Sequence, residues 1–159
     1  MKNNQFGFTL IELVVVMGIL LMLFGFMSFN LVGVQRKTSL DSTVENLVSD
    51  MATQQTKAML GVGSSAGDSY GIYFQSDKYT LFKGTTYSAS DPTNFIISLD
   101  SGITFSNINL PASSLIFSNR TGEISGFLAG QDTITIQDAQ GVKTEKITVN
   151  RYGVVTGKN

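Results

Sequence analysis

The sequence contains no cysteine and no histidine. Without these residues, zinc, haem and thiol chemistry lack their usual ligands and nucleophiles. Histidine-based triads and histidine general bases are excluded as well. Serine, lysine, aspartate and tyrosine are present, but no spacing among them is typical of a catalytic site. We therefore expect a protein that is not an enzyme and that uses no cofactor and no bound metal.

Charge is also scarce in this chain. Only 14% of the residues are charged, the net charge is -1, and the isoelectric point is about 5.3. Such a chain lacks the basic field that attracts nucleic acid. The C-terminal part carries Lys143, Lys146, Arg151 and Lys158 against Glu145, which is more typical of a solvated surface than of a phosphate-binding site. We expect no nucleic-acid partner.

The sequence does contain one long apolar run near its start. This run extends from Phe8 to Val34, follows the polar residues MKNNQFG, and includes a single charged residue, Glu12. As a helix it would be about 40 Å long, which exceeds the ~30 Å hydrocarbon core of a bilayer. An acid inside such a segment costs about 2.5–3.5 kcal/mol on insertion scales, so it requires a functional explanation.

The N-terminus resembles that of type IV prepilins and pseudopilins in the sequence Gly7-Phe8-Thr9-Leu10-Ile11-Glu12. The resemblance implies that prepilin peptidase cuts between Gly7 and Phe8, that the new amino group of Phe8 is methylated, and that Glu12 is the acid used in assembly. It also implies a set of partners. These are other pilin or pseudopilin subunits, the prepilin peptidase, an inner-membrane assembly platform, and the lipid bilayer before assembly.

Two other interpretations of the N-terminus compete with this one. A cleaved secretory signal peptide has an apolar core of about 7–15 residues and a cut site after it, whereas this run is longer and its cut lies before it. In an ordinary membrane anchor, Glu12 would extend to the headgroups. Lys2 lies before the run and Arg36 and Lys37 lie after it, so the positive-inside rule does not decide the orientation. The cleavage motif places the N-terminus in the cytoplasm.

The helical pattern continues after the apolar run. Mostly apolar positions recur with helical spacing, no proline interrupts residues 8–60, and glycines follow at 61 and 63. These positions are Leu40, Val44, Leu47, Val48, Met51, Ala52, Gln55, Ala58 and Met59. The pattern predicts one helix of about 80 Å, apolar on all sides in its first half and amphipathic in its second. We expect a leader at 1–7, a transmembrane and filament-core helix at 8–34, the amphipathic half at 35–60, and a globular β domain at 61–159.

The β domain is predicted from alternating segments separated by turn residues. The segments are Tyr70–Gln75, Tyr79–Lys83, Phe95–Leu99, Ile103–Ile108, Leu115–Ser118, Ile124–Phe127, Thr133–Gln137 and Lys143–Asn150. Two Asn-Arg-x-Gly sequences, Asn119–Gly122 and Asn150–Gly153, are expected as hairpin loops. The alternative is a paired binding site formed by Arg120 and Arg151. We expect Gly84–Asn94 to be an exposed loop, where partner specificity would be carried.

The second half of the chain is similar to the H-type minor pseudopilins of type II secretion and to FimT-type pilins. The similarity lies in Tyr70–Phe74, in Leu115–Phe117, and in Ile147–Val149 followed by Gly153. DNA-binding members of that group carry a basic motif after the final glycine, whereas here only Lys158 is basic. The expected fold is therefore α+β and pilin-like, with a long N-terminal α-helix packed on a C-terminal antiparallel β-sheet domain.

These observations lead to one expected function and two alternatives. The expected protein is a structural subunit, and a minor one, of a type IV pilus or a type II secretion pseudopilus. It would be a single-pass protein of the cytoplasmic membrane with its N-terminus in the cytoplasm, and then part of a periplasmic or extracellular filament. The alternatives are a DNA- or substrate-binding minor pilin at a filament tip, and a plain membrane-anchored β-domain protein.

Overall fold

A computed structural model describes residues 9–63 and 68–158 of the chain, with the side chains of residues 26–38 left out of the description. The predicted leader and Phe8 therefore lie outside the described residues. Within them, the chain contains one α-helix, a short 3-10 turn and eight β-strands, which confirms the predicted α+β class. The chain divides into two compact units, Met1–Lys37 and Thr38–Asn159.

Helix α1 extends from Leu10 to Leu60, in agreement with the predicted helix. It ends at two glycines, Gly61 and Gly63, whose φ angles are 62° and 96°. This left-handed conformation is open to glycine at little cost, and it is a common way to terminate a helix. The backbone N–H of Gly61 donates to the carbonyl oxygen of Ala58, which closes the last turn.

The described part of the first unit is a helix that is exposed on all sides. Every residue from 10 to 25 is exposed, including large apolar side chains such as Leu10, Leu21 and Phe24. An apolar helix of this kind needs lipid or other helices around it. No helix among the described residues is long and apolar enough to cross a membrane. The expected transmembrane segment at 8–34 therefore stays a prediction.

The second half of α1 buries one narrow stripe in the second unit. Leu40, Val44, Leu47, Met51 and Ala58 are buried as predicted. Ala52 and Met59, however, are exposed, and the polar residues Thr43 and Gln54 are buried in addition. The buried positions follow the spacing i, i+4, i+7, i+11, i+14 and i+18, so position 54 falls within the stripe.

Gln54 is tolerated inside the core because part of its amide is satisfied there. Its side chain is 1% exposed, and Nε2 donates to the carbonyl oxygen of Gly71 over 3.0 Å. A buried amide without such a bond would cost about 1–3 kcal/mol. The predicted stripe included Gln55 instead, which lies four residues after Met51 and is half-buried.

The eight strands form two four-stranded antiparallel sheets rather than the single sheet predicted. The strands are β1 Tyr70–Phe74, β2 Lys78–Lys83, β3 Phe95–Ser98, β4 Ile103–Asn109, β5 Ser114–Phe117, β6 Thr133–Asp138, β7 Thr144–Val149 and β8 Val155–Lys158. The first sheet has the order β3-β2-β1-β5 and the second has the order β4-β6-β7-β8. The chain changes sheet between β3 and β4, returns through the 3-10 turn Pro111–Ser113, and crosses again before β6.

Seven of the predicted strands are confirmed and one is wrong. The segment Ile124–Phe127 forms a single bridge between Ile124 and Phe117, because Gly126 takes a φ of 67° and cannot continue a strand. The strand β8 was not predicted from the sequence, because it is short, contains Gly157 and therefore has weak alternation.

One core joins α1 to both sheets in the second unit. Phe105 of β4 lies edge-on to Phe74 of β1, with 5.4 Å between ring centroids, and edge-on to Tyr79 of β2. Ile134 and Ile136 of β6 are fully buried, as the alternating Thr-Ile-Thr-Ile sequence predicted. The two sheets therefore pack their apolar faces against each other and against the helix.

Candidate processing and assembly site

The predicted processing and assembly residues lie at the start of α1. Gly7 and Phe8 are outside the described residues, so the structure gives no geometry for the cleavage position. Glu12 is described and lies in the first turn of the helix. Its side chain is exposed, and it is bonded to Thr9, the residue immediately before the helix.

Thr9 and Glu12 hold each other through three hydrogen bonds. The backbone N–H and the hydroxyl of Thr9 both donate to Oε2 of Glu12, over 3.0 Å and 2.9 Å. In return, the backbone N–H of Glu12 donates to the Thr9 hydroxyl over 3.3 Å. This arrangement is a capping box, in which residues at the N-cap and N3 positions satisfy backbone groups that the helix leaves unpaired.

The capping box fixes where the Glu12 carboxylate lies. It places a negative charge beside the N-terminus of the helix, where the helix dipole stabilises anions. An amine close to the start of this helix, or of a neighbouring one, would find an oriented carboxylate there. Glu12 was predicted from the sequence but Thr9 was not, although the order Thr-x-x-Glu before an apolar run is the usual sign of a capping box.

The surroundings of this turn are apolar and open. The side chains of residues 10–25 are exposed around the whole helix, and Glu12 is the one charged side chain among them. A second apolar surface laid against this helix would remove the Glu12 carboxylate from water. Burial of an unpaired carboxylate is costly, so such packing requires a cationic partner for Glu12.

Residues 2–28 match the prokaryotic N-terminal methylation motif. This motif includes Gly7, Phe8 and Glu12, and it indicates a processed protein of the type IV pilin or pseudopilin type. It implies processing by prepilin peptidase and assembly with other pilin subunits. No curated protein and no solved structure matches the chain.

The two Asn-Arg-x-Gly loops lie together on the helix, which the sequence did not predict. Nε2 of Gln55 donates to the carbonyl oxygen of Gly122 over 2.9 Å and to that of Tyr152 over 2.6 Å. Beside the loops, the backbone N–H of Ile124, two residues after the first loop, donates to the carbonyl oxygen of Arg151 in the second over 2.9 Å. One side chain of α1 therefore joins both loops.

The loop prediction is confirmed in full for one sequence and in part for the other. Asn150–Gly153 joins β7 to β8, and Oδ1 of Asn150 accepts hydrogen bonds from the N–H groups of Tyr152 and Val154. Asn119–Gly122 is also a tight turn, but the segment after it pairs with β5 through one isolated bridge, between Ile124 and Phe117, and residues 123–132 form no strand. It is therefore not a hairpin loop between two strands.

The alternative of a paired arginine site gains no support. Nη2 and Nε of Arg151 lie 3.1 Å and 3.2 Å from Oε2 of Glu123, so the charge of Arg151 is met within the chain. Arg120 takes a φ of 65°, and its backbone N–H donates to the carbonyl oxygen of Ala58 near the end of α1. This contact fixes the turn against the helix and does not form a ligand site.

The Gly84–Asn94 loop is exposed at most of its positions, as predicted, but Tyr87 packs against the sheet and Asp91 bonds to another residue of the loop. Tyr87 stacks on Tyr73 with 4.0 Å between ring centroids and lies edge-on to Phe82. Asp91 accepts hydrogen bonds from the hydroxyl and the N–H of Thr93, and these bonds hold the pKa of Asp91 below its usual range. The role of this loop in partner specificity stays a prediction.

Proposed function

We propose that this chain is a minor structural subunit of a type IV pilus or a type II secretion pseudopilus. The observation that carries the proposal is the methylation motif at residues 2–28 together with the position of Glu12 at the start of an apolar helix. In this proposal, prepilin peptidase cuts between Gly7 and Phe8, and Phe8 becomes a methylated N-terminus. Glu12 is then the acid that pairs with the amine of a neighbouring subunit.

The pairing follows from the cost of burying a charge. While Glu12 is exposed, its carboxylate is satisfied by Thr9 and by water. Once neighbouring apolar helices enclose it, the carboxylate needs a cation, because an unpaired buried charge destabilises the assembly by several kcal/mol. After cleavage, the protonated amine of Phe8 on an adjacent subunit supplies that cation. Assembly would therefore select correctly processed subunits.

The exposed apolar surface of α1 supports the same proposal. Large apolar side chains from Leu10 to Phe24 are exposed around the helix, a surface far more apolar than a monomeric soluble protein tolerates. Before assembly this surface would be covered by lipid, and in a filament it would be covered by equivalent helices. The subunit would be a single-pass protein of the cytoplasmic membrane, with the N-terminus in the cytoplasm and the second unit outside.

The two alternatives have less support from the described residues. A DNA-binding tip subunit needs a cluster of free basic side chains, but Arg151 pairs with Glu123 and Lys83 lies 2.6 Å from Asp68. A plain membrane anchor could carry the same capping box, because such a box stabilises any helix start, but it does not account for the methylation motif at residues 2–28. We also propose that the chain is not an enzyme, since it contains no histidine, the commonest general base, and no cysteine.

The assembly role of Glu12 is tested by comparing Glu12→Gln with Glu45→Gln. Both are exposed acids on α1, but only the first lies in the apolar half. Glu12→Gln keeps the shape of the side chain and removes the charge, so it should insert into the membrane normally and be absent from sheared filaments. Glu45→Gln should be present in both fractions. Blotting measures the amount of each variant in the membrane and filament fractions. Normal filament incorporation of Glu12→Gln would contradict the proposal.

A further inference from the structure

We draw no further inference here: the strongest candidate, the open groove between α1 and the strands β2 and β3 that is lined by Asp50, Gln54, Lys57, Lys83 and Phe95, carries charges of both signs, and nothing in the described residues shows what covers it.

Discussion

Nε2 of Gln55 lies 2.6 Å from the carbonyl oxygen of Tyr152, and the same nitrogen lies 2.9 Å from the carbonyl oxygen of Gly122. A half-buried side chain on α1 therefore bonds to both Asn-Arg-x-Gly loops. Each of these bonds stabilises the fold by about 0.5–1.5 kcal/mol net.

Because the buried core lies entirely within residues 40–149, we expect the fragment 35–159 to fold alone with mixed helix and strand.

Replacing Gln55 by alanine should lower the free energy of unfolding of this fragment by about 1–3 kcal/mol, since it removes both bonds and leaves two carbonyl groups unpaired. Urea unfolding measures the change. Thr53→Ala is the control, because among the described residues the Thr53 hydroxyl bonds only to the carbonyl oxygen of Ser49 in its own helix. A change for Gln55→Ala no larger than that for Thr53→Ala would show that the helix does not hold the two loops.

The glycines of these loops differ in what a side chain would meet. Gly153, Gly122 and Gly126 all have φ angles near 70°, where an L residue costs roughly 1–2 kcal/mol. A Cβ on Gly153 would lie 2.7 Å from the buried Phe117 ring, and one on Gly122 would lie 2.7 Å from the flexible Met59 side chain. A Cβ on Gly126 would meet nothing within 4 Å.

We therefore expect a graded loss of stability among three alanine variants of the fragment. Gly126→Ala should lower the free energy of unfolding only by the cost of its left-handed backbone conformation, and Gly122→Ala should lower it slightly more. Gly153→Ala should lower it by about 1–3 kcal/mol beyond Gly126→Ala, because a buried ring cannot move aside. Thermal and urea unfolding measure the order of the three stability losses. Equal losses for all three would mean that the close approach of Gly153 to Phe117 is not a constraint on the fold.

Tyr79 gives the fragment a pH dependence at high pH. Its hydroxyl donates to Oδ2 of Asp50 over 2.6 Å, and burial, followed by this bond and the Asp50 charge, raises the pKa of Tyr79 well above its usual value. Because the folded-state pKa of Tyr79 lies above the unfolded value of about 10, the contribution of this tyrosine to the stability of the fold is complete below pH 10 and is lost as pH rises further.

Tyr79→Phe should therefore be less stable than the wild type near pH 7 by about 1.5–3 kcal/mol, the range for a bond to a charged group. The difference should shrink above pH 10, because only the wild type has this tyrosine to deprotonate. Unfolding free energies of both proteins between pH 7 and pH 11 measure it. A difference that is constant or grows with pH would contradict the assigned bond.

Much of the local structure was predictable because it depends on short-range patterns. The helix to Leu60 follows from uninterrupted spacing and the glycines after it, and Ile134 and Ile136 follow from alternation. Gln54 was missed because its burial depends on a carbonyl group at Gly71, which is distant in sequence. The strand β8 was missed because Gly157 weakens its pattern.

The arrangement of the elements was not predictable from the same patterns. Neighbouring segments such as β3 and β4 have hairpin spacing, yet they belong to different sheets, since pairing depends on which apolar faces meet in three dimensions. The repeat of Asn-Arg-x-Gly predicted turns correctly, but nothing local shows that both turns meet at Gln55. At the N-terminus, Thr9 was predictable from its spacing to Glu12 and was overlooked.

The central claim is that this chain is processed and assembled as a pilin-type subunit. Intact-mass measurement of the protein extracted from membranes of cells with an active prepilin peptidase tests it most directly. We expect a chain that begins at Phe8 and carries one added methyl group, whereas a Gly7→Val variant should keep the whole leader. A wild-type mass that includes residues 1–7, or a cut at another position, would contradict the account.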